Sequence, residues 1–338
     1  MIKEALSKVT GGEDLSLPEA KEVMQEIMTG QVTPAQMGGY LVALRMKGET
    51  IQEIAGSALA MREQASLIRP SSDVLLDTCG TGGDGAGSFN ISTTVAIIAA
   101  AAGIRVAKHG NRAVSSNAGS ADVLEALGIK VDLAPQKVQD CIDSVGIGFM
   151  FAPVFHQAMK HAAGPRRELG MRTIFNLLGP LTNPAQVNRQ VLGVFAPHLT
   201  EVFALVLAEI GCEKAFVLHG HGGMDELSLS GPNKVTKMSQ GRPETFLLSA
   251  EDLRLRKAGN DALKGGTARE NAEIILRVLG GEESFYRDAV LLNAAPCFVL
   301  ADFTDNLQEG VRMSAEVIGS GAAMKKLEEW KEFTQKVA

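Results

Sequence analysis

Aromatic residues and cysteine are scarce in this 338-residue chain: Phe, Trp and Tyr make up 5%, with one tryptophan and two tyrosines, and there are four cysteines. Cys79, Cys141, Cys212 and Cys297 stand far apart and form no CxxC pair. That spacing excludes a clustered structural zinc site and a disulfide-stapled scaffold. Four reduced, mostly buried thiols are expected, which points to the cytoplasm. Positive charge is not in excess either: 33 Lys+Arg against 39 Asp+Glu leave −6, the wrong sign for a nonspecific nucleic-acid coat, so no nucleic-acid partner is expected. The longest apolar run, 95–103, is far shorter than the roughly 20 residues of a spanning helix. No basic stretch precedes an apolar run at the start, so neither a membrane partner nor a signal peptide is expected.

What the chain does have is apolar material for a large core, 45% of its residues, and 36 glycines. The first seventy residues read as helices only. Leu17, Ala20, Val23, Met24 and Ile27 share a helical face, as do Met37, Tyr40, Leu41 and Leu44, and then Ile51, Ile54, Ala55, Ala58 and Leu59. Each stretch opens on a capping box, Ser16 with Glu19, Thr33 with Gln36 and Thr50 with Glu53, in which two side chains satisfy backbone donors at the helix start. Arg69-Pro70-Ser71-Ser72 ends this block and divides the chain into a helical domain, 1–70, and a second domain, 71–338.

The pattern then changes. Short apolar runs at 74–76, 104–107, 129–133, 147–151, 191–195 and 215–218 alternate with helical patterns at 93–102, 121–127, 136–145 and 200–210. Strand and helix in alternation imply an α/β fold with a mainly parallel central sheet flanked by helices. A second helical series, opened by Thr267 with Glu270, runs from about Ala268 to the end, and 231–243 is expected to be a hairpin or a loop.

Four segments carry chemistry. In the first, a buried strand runs into Cys79-Gly80-Thr81-Gly82-Gly83-Asp84-Gly85-Ala86-Gly87-Ser88 and on to a helix opened by Asn90-Ile91-Ser92-Thr93-Thr94. Glycines let a ligand approach the backbone, and the amides and helix N-terminus form an anion nest. Gly80, Gly82 and Gly85 fit GxGxxG, but the helix begins too late for a dinucleotide fold, and no lysine completes a P-loop. The second segment, Lys108 to Ser120, follows another strand and offers Lys108, Arg112 and the hydroxyls of Ser115, Ser116 and Ser120. Two such loops at neighbouring strand ends suit a ligand with more than one phosphate; the ordinary alternatives are a ligand-free glycine turn and a solvated basic turn. The third has Arg166, Arg167 and Arg172 close in sequence, a clamp for a carboxylate or merely a surface cluster. The fourth is His219-Gly220-His221-Gly222-Gly223-Met224-Asp225-Glu226. Its adjacent carboxylates suit Mg²⁺, whereas two histidines with no third ligand nearby make a poor zinc set.

Together the segments 79–84 (CGTGGD), 90–94 (NISTT), 108–116 (KHGNRAVSS), 117–128 (NAGSADVLEALG), 166–184 (RRELGMRTIFNLLGPLTNP) and 219–226 resemble the anthranilate phosphoribosyltransferase family over nearly the whole chain. The resemblance implies transfer of the phosphoribosyl group of 5-phosphoribosyl 1-pyrophosphate (PRPP) to the amine of anthranilate, the second step of tryptophan synthesis from chorismate. It implies a homodimer through the N-terminal helices, and a small domain joined by helices from about 165–185. By motif, PRPP would be held by Gly80, Gly83, Asp84, Ser88, Asn90, Ile91, Ser92, Thr93, Lys108, His109, Gly110, Asn111, Arg112, Ala113, Val114, Ser115, Ser116 and Ser120. Gly80, Asn111 and Arg166 would contact anthranilate with His109 nearby, and Ser92, Asp225 and Glu226 would bind two Mg²⁺ per monomer. An aryl amine is neutral at pH 7, so no obligatory general base is expected; catalysis would rest on positioning and electrostatics. The rival readings are a pyrimidine nucleoside phosphorylase and a non-catalytic, nucleic-acid-binding relative.

Overall fold

The structure, a computed structural model, describes residues 1–113 and 117–337. Helices α1 (Ile2–Thr10), α2 (Leu17–Met28), α3 (Pro34–Lys47) and α4 (Ile51–Glu63) open the chain. The capping boxes at Ser16, Thr33 and Thr50 form as the spacing predicts, with Pro in the first turn of α2 and α3, where its missing N–H costs nothing. Helix α1 was not expected. Its buried face is only Ile2, Ala5 and Val9, too few apolar positions to register as a period.

The rest builds around one seven-stranded sheet, order β3-β2-β1-β4-β5-β6-β7. Its elements are β1 (Leu76–Gly80), α5 (Ile91–Ala101), β2 (Val106–Gly110), α6 (Ser120–Ala126), α7 (Pro135–Val145), β3 (Ile147–Phe151), the short α8 (Ala152–Phe155), α9 (Lys160–Leu169), α10 (Phe175–Leu178), β4 (Arg189–Gly193), α11 (Leu199–Glu209), β5 (Lys214–His219), β6 (Asn233–Ser239) and β7 (Arg242–Leu248). Four helices close the chain: α12 (Ala268–Leu279), α13 (Phe285–Leu300), α14 (Leu307–Gly319) and α15 (Ala322–Val337). Strands β3, β2, β1, β4 and β5 are parallel, and β6 and β7 add an antiparallel hairpin. This is the expected fold class.

Alternate strand residues face opposite layers. Val191, Phe216 and Leu218 pack with α5 and the C-terminal helices, while Leu192, Ala215 and Val217 join α11 and the N-terminal helices in one continuous apolar cluster. Arg62 of α4 crosses between these parts: buried, it donates to the carbonyls of Leu181 at 2.7 Å and Ile210 at 2.9 Å.

Two expectations need correction. The run 129–133 is not a strand. Ile129, Val131 and Leu133 are buried at period two, but β2 already has β1 and β3 as neighbours, and the segment leans instead on α15, where the Lys130 N–H donates to Thr334 Oγ1 at 3.2 Å. Strands β1 and β2 also run further than their apolar letters: Asp77, Thr78, Lys108 and His109 are strand residues and buried. Buried polar groups hold such positions only when internal partners replace water. Here the Asn183 amide donates to Asp77 Oδ2 at 2.7 Å, and the His109 N–H donates to Asp77 Oδ1 at 3.2 Å.

Candidate active site

The glycine segment leaves the tip of β1 and reaches α5 through positive-φ turns at Gly82 (69°), Gly83 (72°), Gly85 (72°) and Gly87 (62°), a conformation that side chains disfavour. It is tied down at its far end, where the Phe89 N–H donates to the Leu263 carbonyl at 3.0 Å and Gly265 N–H to Gly87 at 2.9 Å. Asn90 joins it to the second segment through Ala118 at 3.2 Å, and accepts from Asn271 at 2.9 Å.

The acid pair, more than 130 residues later, folds onto this loop. The Gly82 N–H donates to Asp225 Oδ2 at 2.7 Å, the Ser92 N–H to Glu226 Oε1 at 3.1 Å, and the Asp225 N–H to Asp84 Oδ2 at 3.2 Å. Glycine at three strand tips makes the approach possible. A Cβ at Gly80 would lie 2.3 Å from Asp225 Oδ2, at Gly193 1.5 Å from the Asp225 carbonyl oxygen, and at Gly220 2.0 Å from that of Glu226.

Burial drives the carboxyls of Asp225 and Glu226 above the ordinary range; at Asp225 the charges of Asp84 and Glu226 push further, and at Glu226 the Lys108 ammonium and Ser92 amide oppose the rise. Crowded acids of this kind favour a divalent cation. Among the described residues no three His, Cys, Asp or Glu side chains converge as ligands. The candidate set is therefore two carboxylates with the Ser92 hydroxyl, hard oxygen donors that fit Mg²⁺, which keeps several waters. The Thr93 hydroxyl, one residue on, is buried without a partner among the described residues. Ser88 bridges to Lys264, and Ile91 is core.

The second segment is less open than its composition suggests. Lys108 is fully buried, with its ammonium on the Thr78 carbonyl at 2.5 Å. Arg112 pairs with Asp122 at 2.9 Å and Glu125 at 2.6 Å, so neither cation stands free at the loop surface. Ser120 and Ala121 both donate to the Asn111 carbonyl, and the Ala113 N–H donates to Asp122 at 3.0 Å. Gly110 ends β2 against Ser120 and Phe149. Val114, Ser115 and Ser116 lie outside the described residues.

The three arginines do not converge. Arg166, on α9, is half-buried with its guanidinium 5.0 Å over the Phe175 ring; burial alone lowers its pKa, and no acid pairs with it among the described residues. Arg167 is exposed. Arg172 covers the glycine loop, donating to the Gly83 carbonyl and lying 4.2 Å over Phe195. Of the two histidines expected in a loop, His221 is a loop residue, but His219 ends β5, paired with Lys234 of β6; their Nδ1 atoms meet Ser230 Oγ at 2.9 Å and the Val194 carbonyl at 2.8 Å, respectively.

Two family models match the chain, "Glycosyl transferase family, helical bundle domain" over residues 3–65 and "Glycosyl transferase family, a/b domain" over 72–324. The chain is 52% identical over 334 residues to the anthranilate phosphoribosyltransferase of Acetivibrio thermocellus, covering 99% of this chain and 97% of that one. It superposes on the crystal structure of the Thermus thermophilus anthranilate phosphoribosyltransferase with TM-score 0.93, 47% identity and coverage of 98% and 99%. The chain belongs to the anthranilate phosphoribosyltransferase family. The Saccharomyces cerevisiae member in complex with PRPP and Mg is 29% identical, with TM-score 0.91 over 99% of this chain and 98% of that one. The phosphorylase and nucleic-acid-binding readings are not favoured.

Beside the residues read from motifs, this anthranilate phosphoribosyltransferase-family chain places a buried polar seam behind the site. Asn183 bonds Asp77 and the Ala107 carbonyl, Gln190 bonds Pro180 and Cys79, and His156 lies 5.0 Å from the His109 ring. Nε2 of both histidines is buried without a partner among the described residues. Burial lowers both pKa values, that of His156 to about 4, so both rings are neutral at pH 7. Burial also pushes the Cys79 thiol well up, which removes it as a thiolate nucleophile. A lone histidine and single amides carry no sequence signal; their roles arise from the strands and the 179–184 segment meeting.

Proposed function

We propose that the strand tips of β1, β2 and β5 hold PRPP and present its ribose carbon to the amine of anthranilate. The enzyme is a pentosyltransferase, an anthranilate phosphoribosyltransferase, yielding N-(5-phosphoribosyl)anthranilate and pyrophosphate. The observation that supports the residue assignment is the bonding of Asp225 to the Gly82 N–H and of Glu226 to the Ser92 N–H, which sets the acid pair against the glycine loop and the first turn of α5. Backbone amides from the loop and the first turn of α5 face the phosphates and stabilise charge as pyrophosphate leaves. Bound at Ser92, Asp225 and Glu226, two magnesium ions would neutralise the diphosphate and improve it as a leaving group.

Arg166 receives the anthranilate carboxylate, and Asn111, Gly80 and His109 complete the pocket. The neutral amine attacks as the ribose carbon becomes cation-like; positioning does the rest. Loss of anthranilate fluorescence that requires both PRPP and Mg²⁺ is the expected assay result, and consumption without PRPP would refute the reading. Asp225→Asn with Glu226→Gln is expected to raise the Mg²⁺ concentration for half-activation by at least about 10-fold, since even groups behind the ligands usually carry that much. An unchanged Mg²⁺ curve would remove both residues from the metal site.

The chain divides near residue 70 into a helical part, completed by helices from 165–185, and an α/β part. It works in the cytoplasm as a homodimer through its N-terminal helices. Support for the dimer is Met46 on α3, 82% exposed, on a helix that already buries Met37, Tyr40, Leu41 and Leu44. Light scattering is expected to give twice the chain mass, and Met46→Glu to shift it toward the monomer.

A further inference from the structure

The backbone that carries Asp225 and Glu226 has no secondary structure of its own, yet its flanks are buried: Leu227 and Ser228 are both 0% exposed. Buried amides and carbonyls need partners. Here all four backbone groups are satisfied by two side chains. Asn293, inside α13, accepts from the Leu227 N–H at 2.8 Å and donates to the Leu227 carbonyl at 2.9 Å, its second N–H going to Ala289 at 2.9 Å. Asn233, at the start of β6, accepts from Ser228 N–H at 2.8 Å and His221 N–H at 3.0 Å. It donates to the Ser228 carbonyl at 3.0 Å and to Leu248 at 2.8 Å. That uses the full donor and acceptor capacity of its amide. Both asparagines are buried, at 0% and 2%.

We infer that Asn233 and Asn293 are positioning residues that set the Asp225–Glu226 pair against the glycine loop. The pair lies between two rigid surfaces. On one side are the glycine strand tips, which leave no room for a Cβ; on the other are the two amides. Asn233 also gathers both ends of the loop, since His221 and Ser228 share its oxygen. Loosening either one releases the backbone under the carboxylates, and a divalent site tolerates little of that. The inference rests on the reading of Asp225 and Glu226 as metal ligands.

The test uses Mn²⁺ as the probe, with PRPP present and anthranilate absent, and follows free Mn²⁺ by electron paramagnetic resonance. Asn293→Asp and Asn233→Asp keep the shape and the acceptor but lose the donor to the loop carbonyl. Each is expected to weaken Mn²⁺ binding about 10-fold while the KM for anthranilate stays that of the parent. Unchanged Mn²⁺ binding, or a matching rise in the anthranilate KM, would overturn the inference. The Asp225→Asn, Glu226→Gln protein separates the two levels: if it too binds Mn²⁺ normally, the metal reading itself fails. Hydrogen exchange on the parent protein covers the case of a variant that does not fold. The Leu227 and Ser228 amides are expected to exchange as slowly as those of β5, and fast exchange would overturn the inference directly.

Discussion

Gly193→Ala is expected to lower kcat/KM about 100-fold, the scale on which catalytic groups displaced by an ångström lose activity. The argument is steric. Gly193 ends β4, between β1 and β5, and a Cβ there would sit 1.5 Å from the carbonyl oxygen and 2.4 Å from the carbonyl carbon of Asp225. Neither atom belongs to a flexible side chain, so strand or acid loop must move. The strand is the harder to shift, because it is paired over five positions on each side, so the loop yields. The Gly82–Asp225 and Ser92–Glu226 bonds then lengthen together, and Mg²⁺ activation weakens. Overpacking of this kind also costs about 1–3 kcal/mol of stability, to be read as a lowered Tm. Gly319→Ala is the control: its Cβ meets nothing within 4 Å among the described residues, and it ends α14 far from the loop in sequence. A Gly193→Ala enzyme with the parent's kcat and Mg²⁺ curve would show that the loop's closeness to the strand tips is unimportant.

The close approach at Gly193 shows which features are legible in the sequence and which are not. The loop 79–88 and the acids at 225 and 226 stand out by letter because clustered glycines and adjacent carboxylates are local patterns, those that the proposed anion nest and metal site would demand. Capping boxes marked three of the first four helices, since that chemistry is local. Gly193 has no such mark. It is required by a loop that arrives from residues 220–228, and only the sheet order brings them together. Lys108 and His109 read as loop residues by polarity, yet they are strand residues because Asp77, Asn183 and the Thr78 carbonyl replace solvent for them. The run 129–133 has a strand's burial period without a free neighbouring strand. Asn233 and Asn293 look like any polar residue in a hairpin and a helix. In each case the missing information is a partner distant in sequence, which no local pattern contains.

The three arginines at 166, 167 and 172 turn the same point into a discriminating experiment. By spacing they form one cluster; in the structure they do three different things. Arg166 is half-buried, braced over Phe175 at 5.0 Å and unpaired among the described residues, so its guanidinium is free for a carboxylate. A buried charge-assisted contact removed from one side costs about 2–5 kcal/mol. Arg166→Ala is therefore expected to raise the KM for anthranilate by about 100-fold, equivalent to about 2.7 kcal/mol at 1.36 kcal/mol per tenfold, with little change for PRPP. Arg166→Lys should recover only part of this, because an ammonium cannot match the planar fork of a guanidinium. Arg172→Ala should behave in the opposite sense: the Gly83 carbonyl and Phe195 contacts are lost, the glycine loop loosens, and the effect falls on PRPP. Arg167→Ala, at an exposed position, should change neither constant. Equal effects of Arg166→Ala on both substrates would place Arg166 in general support of the fold, and the carboxylate would have to be received elsewhere.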